Sequence, residues 1–187
     1  MKQLLSILLL LSQFCISQTK YEKNAECTKT ENISESQRLS NFPFSKASQI
    51  KLISFESKNG EPIGNELIKH LDSVKLKQDS FNPFFYTEVV TLNSIQINRL
   101  TDIIYNYSYK KMPYVTSDVK CYEPRNAIIF LNSNNIIIGY IEICFSCNRF
   151  RSSTTKLDLG KDCTEKYEMI KSIFRECKIE YGITRIE

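Results

Sequence analysis

Three cysteines in the second half of the chain have the types and spacing that suit a chemical site. Cys144 and Cys147 form a Cys-x-x-Cys motif, and Cys121 precedes it by a little more than twenty residues. Two runs rich in β-branched and aromatic residues lie between these cysteines and flank the polar break at 132–135. This pattern predicts a β-hairpin, with the thiols gathered at its open end.

The register of that hairpin decides which other side chains lie beside the thiols. With the turn centred on 133–134, Arg125 lies opposite Glu142 and Cys121 lies within one residue of Cys147. Opposite charges at facing positions stabilise an antiparallel pair, so we expect an ion pair between Arg125 and Glu142. The predicted site consists of Cys121, Arg125, Glu142, Cys144 and Cys147.

Three chemistries fit this cysteine cluster. A structural disulfide from Cys121 to Cys144 or Cys147 is favoured, because it closes the hairpin. The first alternative is a thiol–disulfide redox pair formed by Cys144 and Cys147. Arg149 or Arg151 would then lower the pKa of a thiol. The second alternative is a zinc site built from the three cysteines and a fourth, for which a single Cys-x-x-Cys gives less support.

Other catalytic patterns are missing from the sequence. The chain has one histidine and five glycines, and it contains no nucleophile elbow, phosphate-binding glycine loop or histidine-based zinc motif. Glu123 and Glu142 could act as paired carboxylates, but the predicted ion pair is the simpler interpretation of Glu142. The sequence therefore favours a protein that is not an enzyme and that needs no cofactor.

The N-terminus predicts export. Lys2 precedes an apolar run over 4–11, and the small residue Ser17 ends the segment, as in a secretory signal peptide over 1–17. The run is shorter than the ~20 residues of a membrane-spanning helix. Lipid attachment at Cys15 is a less favoured alternative, because Gln13 and Phe14 do not suit a lipidation motif.

Charge and cysteine content agree with that location. The whole chain has 25 basic and 21 acidic residues, without basic runs, which gives no indication of nucleic-acid binding. Removal of residues 1–17 would take Cys15 away and leave an even number of cysteines. In a periplasmic or secreted protein such a set predicts disulfides.

The remaining sequence predicts one domain. Residues 18–48 are polar and indicate a flexible leader, and 49–187 carry the folded domain. Apolar residues recur at helical spacing over about 94–107 and about 162–178, with Lys166 on the polar side of the second helix. Together with hairpin strands at about 125–131 and 136–144, they predict an α+β domain with an antiparallel sheet centred on the hairpin.

The hairpin region resembles a group of small, uncharacterised exported bacterial proteins. The resemblance rests on a Cys-x-x-Pro-Arg segment, an apolar hairpin and a terminal Cys-Phe-x-Cys, and it covers the last half of the chain. It names no activity. Members of that group often have histidine after the arginine, where this chain has Asn126, so it implies no histidine-based metal or proton-transfer role here. The matching residues are Cys121, Pro124, Arg125, Cys144, Phe145 and Cys147.

These observations predict an exported, disulfide-containing domain that binds a protein partner, with an inhibitor or immunity protein as examples of the class. A redox protein using Cys144 and Cys147 is the alternative.

Overall fold

The computed structural model describes residues 26–57, 64–111 and 121–185, so the predicted signal peptide and Cys15 lie outside the described residues. The strands are β1 (Cys27–Lys29), β2 (Gln49–Ser54), β3 (Glu88–Thr91), β4 (Tyr107–Tyr109), β5 (Asn126–Leu131), β6 (Ile137–Cys144) and β7 (Arg149–Ser152). The helices are α1 (Glu35–Leu39), α2 (Glu66–Lys77), α3 (Ser94–Asn106) and α4 (Glu165–Glu176), with a 3₁₀ turn at Pro83–Phe85.

A five-stranded antiparallel sheet in the order β3-β2-β5-β6-β7 forms the centre of the molecule, and β1 pairs with β4 in a separate two-stranded sheet. The predicted hairpin is β5 and β6, and the two predicted helices are α3 and α4. The α+β class is therefore confirmed. All six residues of β5 are buried, because this strand lies between two neighbours and is covered on both faces.

The register of the hairpin differs from the predicted one by two residues. Ala127, not Arg125, lies opposite Glu142, and the ladder has a bulge at Phe130 and Leu131. The turn is longer than predicted, because the Asn132 side-chain oxygen accepts backbone N–H groups from two later turn residues. A shift of two residues preserves which side chains share a face of the sheet.

Helices cover both faces of the sheet. On one face α3 and α4 complete a large apolar core that includes Ile128, Ile141 and Phe174. On the other face α2 packs over a smaller apolar cluster that includes Ile129, Leu67 and Tyr140. Glu142 and Cys144 follow Tyr140 at two-residue spacing, so the polar end of β6 lies on the α2 side.

A buried lysine joins α4 to the end of α3, although the sequence placed it on the solvent side. Lys166 is 2% exposed, and its ammonium donates to the carbonyl oxygens of Leu159 (2.8 Å), Ile104 (3.2 Å) and Lys161. Burial lowers the pKa of Lys166 to about 8, partly offset by the charges of Asp162 and Asp158. Helical spacing did not reveal this position, because its partners are one carbonyl at the end of α3 and two in the loop before α4.

Residues 26–48 fall within the predicted flexible leader but carry β1 and α1. A disulfide joins Cys27 to Cys163. The buried Arg38 donates to the Thr101 hydroxyl and to the Ile33 carbonyl, and it lies 3.6 Å from the carboxylate of Asp102 on α3. Phe44 also packs against Phe130 in the core. These contacts form no periodic apolar pattern in the sequence, which explains why the segment gave no sign of order. No helix in the described ranges is long and apolar enough to cross a membrane.

Candidate binding cleft and cysteine cluster

The open end of the hairpin contains one disulfide and one thiol. Cys121 is bonded to Cys147, with 6.0 Å between their Cα atoms, which is the closure that the sequence favoured. Cys144 is 1% exposed and free. Its sulfur accepts the backbone N–H of Glu123 at 3.4 Å and lies 3.3 Å from the Ser146 hydroxyl. We call these three cysteines the hairpin-base cluster.

The disulfide holds two walls of an open cleft next to each other. Tyr122 follows Cys121 in the chain, and Asn148 follows Cys147. The cleft has a volume of 630 Å³. Its lining residues are Tyr122, Asn148, Arg149, Phe150, Arg151, Asp162 and Tyr167.

Arg151 connects the cleft lining to two other segments of the chain. Its guanidinium lies 3.9 Å from the centre of the Tyr122 ring and donates to the Gly64 carbonyl at 2.6 Å and to the Asn65 side-chain oxygen at 2.9 Å. Gly64 has a φ of +82°, and a Cβ atom there would collide with the Tyr122 carbonyl. The cleft wall is therefore built from three separate chain segments held together by one arginine.

The floor of the cleft follows an open edge of the sheet. β7 is the last strand in the sheet order, and three of its residues line the cleft. The Ser153 N–H donates to the Tyr140 carbonyl, so alternation along the ladder directs the backbone groups of Arg151 toward β6 and those of Phe150 and Ser152 outward. Within the described ranges no other backbone pairs with this outer edge.

Glu142 lies behind this wall and does not form the predicted ion pair. It is 0% exposed, opposite Arg151 on β7 and Ala127 on β5. Arg125 instead bonds Glu123 at 3.2 Å, because the two-residue shift in register moves it beyond the end of the ladder. The prediction of an Arg125–Glu142 ion pair was therefore wrong, and the Glu142 carboxyl is buried without Arg125 beside it.

The carboxyl of Glu142 has the Tyr122 hydroxyl near it but no hydrogen bond of normal geometry. Among the described residues neither of its oxygens, nor the buried Tyr122 hydroxyl, has a partner of normal geometry. Burial raises the pKa of Glu142 to about 7, while the positive charge of Arg151 and the Tyr122 hydroxyl act in the opposite direction. Glu142 is thus partly protonated near neutral pH, which is unusual for a glutamate and marks this region as a site of interest.

Two further polar residues extend the group behind the cleft. The Tyr140 hydroxyl donates to the Asp72 carboxylate of α2, and burial together with that bond raises the pKa of Tyr140. Burial and the charge of Glu142 likewise raise the pKa of Tyr122. Both phenols therefore stay protonated at neutral pH and can donate hydrogen bonds.

The described residues form neither of the two alternative sites that the sequence left open, the Cys144–Cys147 disulfide and the zinc site. Cys147 is bonded to Cys121, so Cys144 and Cys147 are not joined to each other. Across the described ranges no group of three or more His, Cys, Asp or Glu side chains is placed to hold a metal ion, and the zinc alternative therefore gains no support. Cys177, the second free cysteine of the described ranges, lies at the end of α4, where it accepts a hydrogen bond from Gln96 at 3.2 Å.

Sequence reasoning found the cysteines and Arg151 but missed Tyr122, Tyr140 and Asp72 as parts of one site. Tyr122 is the residue next to Cys121, so its position beside the disulfide could have been inferred from the sequence. Asp72 could not be connected to β6 without knowing that α2 packs on that face of the sheet.

No family model matches the chain, and searches of the curated proteins and of the solved structures return no match either.

Proposed function

We propose that this chain is an exported, disulfide-stabilised binding domain that acts on a protein partner rather than on a small-molecule substrate. The observation that carries the proposal is the cleft along the open edge of β7. The signal-peptide pattern over 1–17 and the two disulfides support export. Inhibitor and immunity proteins are examples of this class of function.

The geometry of the cleft suits an extended polypeptide segment. The outward backbone groups of Phe150 and Ser152 can pair with a strand from the partner, as in recognition by strand addition. Side chains of such a segment would lie against Tyr122 on one side and Tyr167 on the other. Aromatic walls of this kind supply contact area at a low cost in side-chain entropy.

The charge of the cleft favours acidic residues in that segment. Arg149 and Arg151 line it, and Asp162 is the one acidic residue among the lining side chains. The chain as a whole is also positive, with a formal net charge of +4. We infer that the preferred partner segment is extended and carries carboxylates, and that the Cys121–Cys147 disulfide keeps the Tyr122 wall in place for it.

A peptide selection followed by proline substitution tests this proposal. The purified, oxidised protein is screened against a library of short displayed peptides, and selected peptides are titrated against Ser152→Pro. Proline removes one outward N–H on the edge strand while leaving the inner ladder intact. The expected result is binding weakened by ~10-fold, the equivalent of one lost hydrogen bond.

Thr91→Pro is the matched control, because Thr91 is an exposed polar residue on β3, the opposite edge strand. It should leave peptide affinity within about two-fold of the parent value, since surface changes remote from a site have small effects. Selection of no peptides, or of peptides that bind Ser152→Pro and the parent protein equally, would overturn the proposal.

A further inference from the structure

The hairpin-base cluster holds three sulfurs, and Cys147 is within reach of both of the others. Cys147 is bonded to Cys121. Cys144 and Cys147 occupy the first and fourth positions of a turn that is closed by the Cys147 N–H on the Cys144 carbonyl at 3.3 Å. Such positions lie within ~7 Å of each other at Cα, which is inside the range of a disulfide. Cys147 therefore has two mutually exclusive bonding partners.

The free thiol of Cys144 lies against the segment that carries Cys121. Its sulfur accepts the N–H of Glu123, two residues after Cys121, at 3.4 Å. The Ser146 hydroxyl is close to both Cys-x-x-Cys sulfurs, 3.3 Å from that of Cys144 and 3.7 Å from that of Cys147. The thiolate is the form of a cysteine that attacks a disulfide.

We propose that the hairpin-base cluster carries out an internal thiol–disulfide exchange. The Cys144 thiolate attacks the Cys147 sulfur, the bond from Cys147 to Cys121 breaks, and Cys121 leaves as a thiolate. The proton released by Cys144 ends on Cys121. One disulfide is lost and one is formed, so the step needs no external oxidant or reductant.

The exchange changes which sulfur reaches solvent. Cys144 is 1% and Cys147 is 6% exposed, whereas Cys121 is half-buried. In the exchanged form the free thiol is therefore the most accessible of the three, where it can form a mixed disulfide with a partner protein's disulfide. The segment that begins at Cys121 would also lose its covalent bond to the turn after β6. This inference does not depend on the proposed binding function.

Alkylation of the native protein tests the exchange. The oxidised protein is incubated with iodoacetamide at mildly alkaline pH, quenched in acid to stop further exchange, digested, and mapped without reduction. The expected products are a Cys144–Cys147 disulfide and a carbamidomethyl group on Cys121. In Cys144→Ser the labelling of Cys121 should fall by ~10-fold or more, because the attacking thiolate is gone.

Cys177→Ser is the matched control, since Cys177 is a second buried thiol at a different place in the fold. It should leave the labelling of Cys121 unchanged. Because the disulfide isomers are read on the parent protein, the test stands even if Cys144→Ser folds poorly. Labelling confined to Cys144 or Cys177, with Cys121–Cys147 the sole disulfide formed by the cluster, would overturn the proposal.

Discussion

The two disulfides lie beside two buried charged residues whose environments are opposite in kind. Cys27–Cys163 is close in sequence to Lys166, whose ammonium donates to three carbonyl groups. Cys121–Cys147 closes the hairpin whose β6 strand carries Glu142, and the carboxyl oxygens of Glu142 have no hydrogen bond of normal geometry within the described ranges. A buried polar group with all its partners stabilises the fold, whereas one without partners destabilises it. We therefore expect the first region to have a structural role, and the second remains the candidate functional site.

Removal of each disulfide should have the largest effects, and the effects should differ. The Cys27→Ser/Cys163→Ser variant opens a link between residues 136 apart and should lower the free energy of unfolding by about 5 kcal/mol. The Cys121→Ser/Cys147→Ser variant opens a link between residues 26 apart and should lower it by about 3.5 kcal/mol. Urea denaturation of both variants measures the difference. The reverse order would contradict the structural role of the first region.

Lys166→Met should come next in size. The substitution keeps most of the unbranched apolar side chain but leaves three carbonyl groups without their donor, so we expect the free energy of unfolding to fall by about 3 kcal/mol. Urea denaturation at neutral pH measures it. Lys156→Met, on an exposed loop, is the control and should change stability by less than about 0.5 kcal/mol. A small effect of Lys166→Met would break the comparison, because the two buried charges would then be energetically alike.

Glu142→Gln should have the smallest effect and the opposite sign. The pKa of Glu142 is raised from 4.5 to about 7 in the folded protein, so the folded state holds more protons than the unfolded state between these values. The stability that protonated Glu142 contributes is thus fully present below pH 4.5 and is lost as the pH rises through 7. Glutamine stays neutral, and we expect Glu142→Gln to be more stable than the parent by about 2 kcal/mol at alkaline pH.

Denaturation of both proteins at several pH values between 4 and 8 provides the measurement. The groups near Glu142 are Arg151, Tyr122 and Asp72, and the pKa of Tyr122 is raised, which keeps its titration above this range. Glu123→Gln, at a half-exposed carboxylate, is the control and should leave the pH dependence of the parent in place. If Glu142→Gln keeps the same pH dependence of stability as the parent protein, the Glu142 carboxyl has hydrogen-bond partners in solution and the prediction is wrong.

The main elements of the fold were predictable because they depend on local periodicity. The apolar spacing of α3 and α4 and the two apolar runs of the hairpin each identify an element without knowledge of its neighbours. α2 was harder, since parts of its sequence alternate like a strand and its amphipathic pattern is short. Residues 26–48 were missed because Arg38, the disulfide at Cys27 and the core residue Phe44 hold them, and these form no periodic apolar pattern.

The candidate site was predictable only in part. Cysteine spacing located the cluster, but pairing opposite charges led to Arg125 as the partner of Glu142. A sequence gives no reason to expect a glutamate that is buried without a donor, because most buried carboxyls are paired. The turn side chain of Asn132 sets the true register, and its effect appears only when the hydrogen bonds of the turn are known.

The position of β2 beside β5 has a consequence for how the chain reaches this fold. β2 pairs with β3 and also with β5, which begins more than seventy residues after β2. In a chain that is synthesised from its N-terminus, β2 and β3 can form early, but the inner edge of β2 has no partner until 126–131 arrive. Closing that long loop is an entropic barrier, so we expect the central sheet to form late and slowly. Until then the open edge of β2 is the part of the chain most exposed to pairing with other molecules.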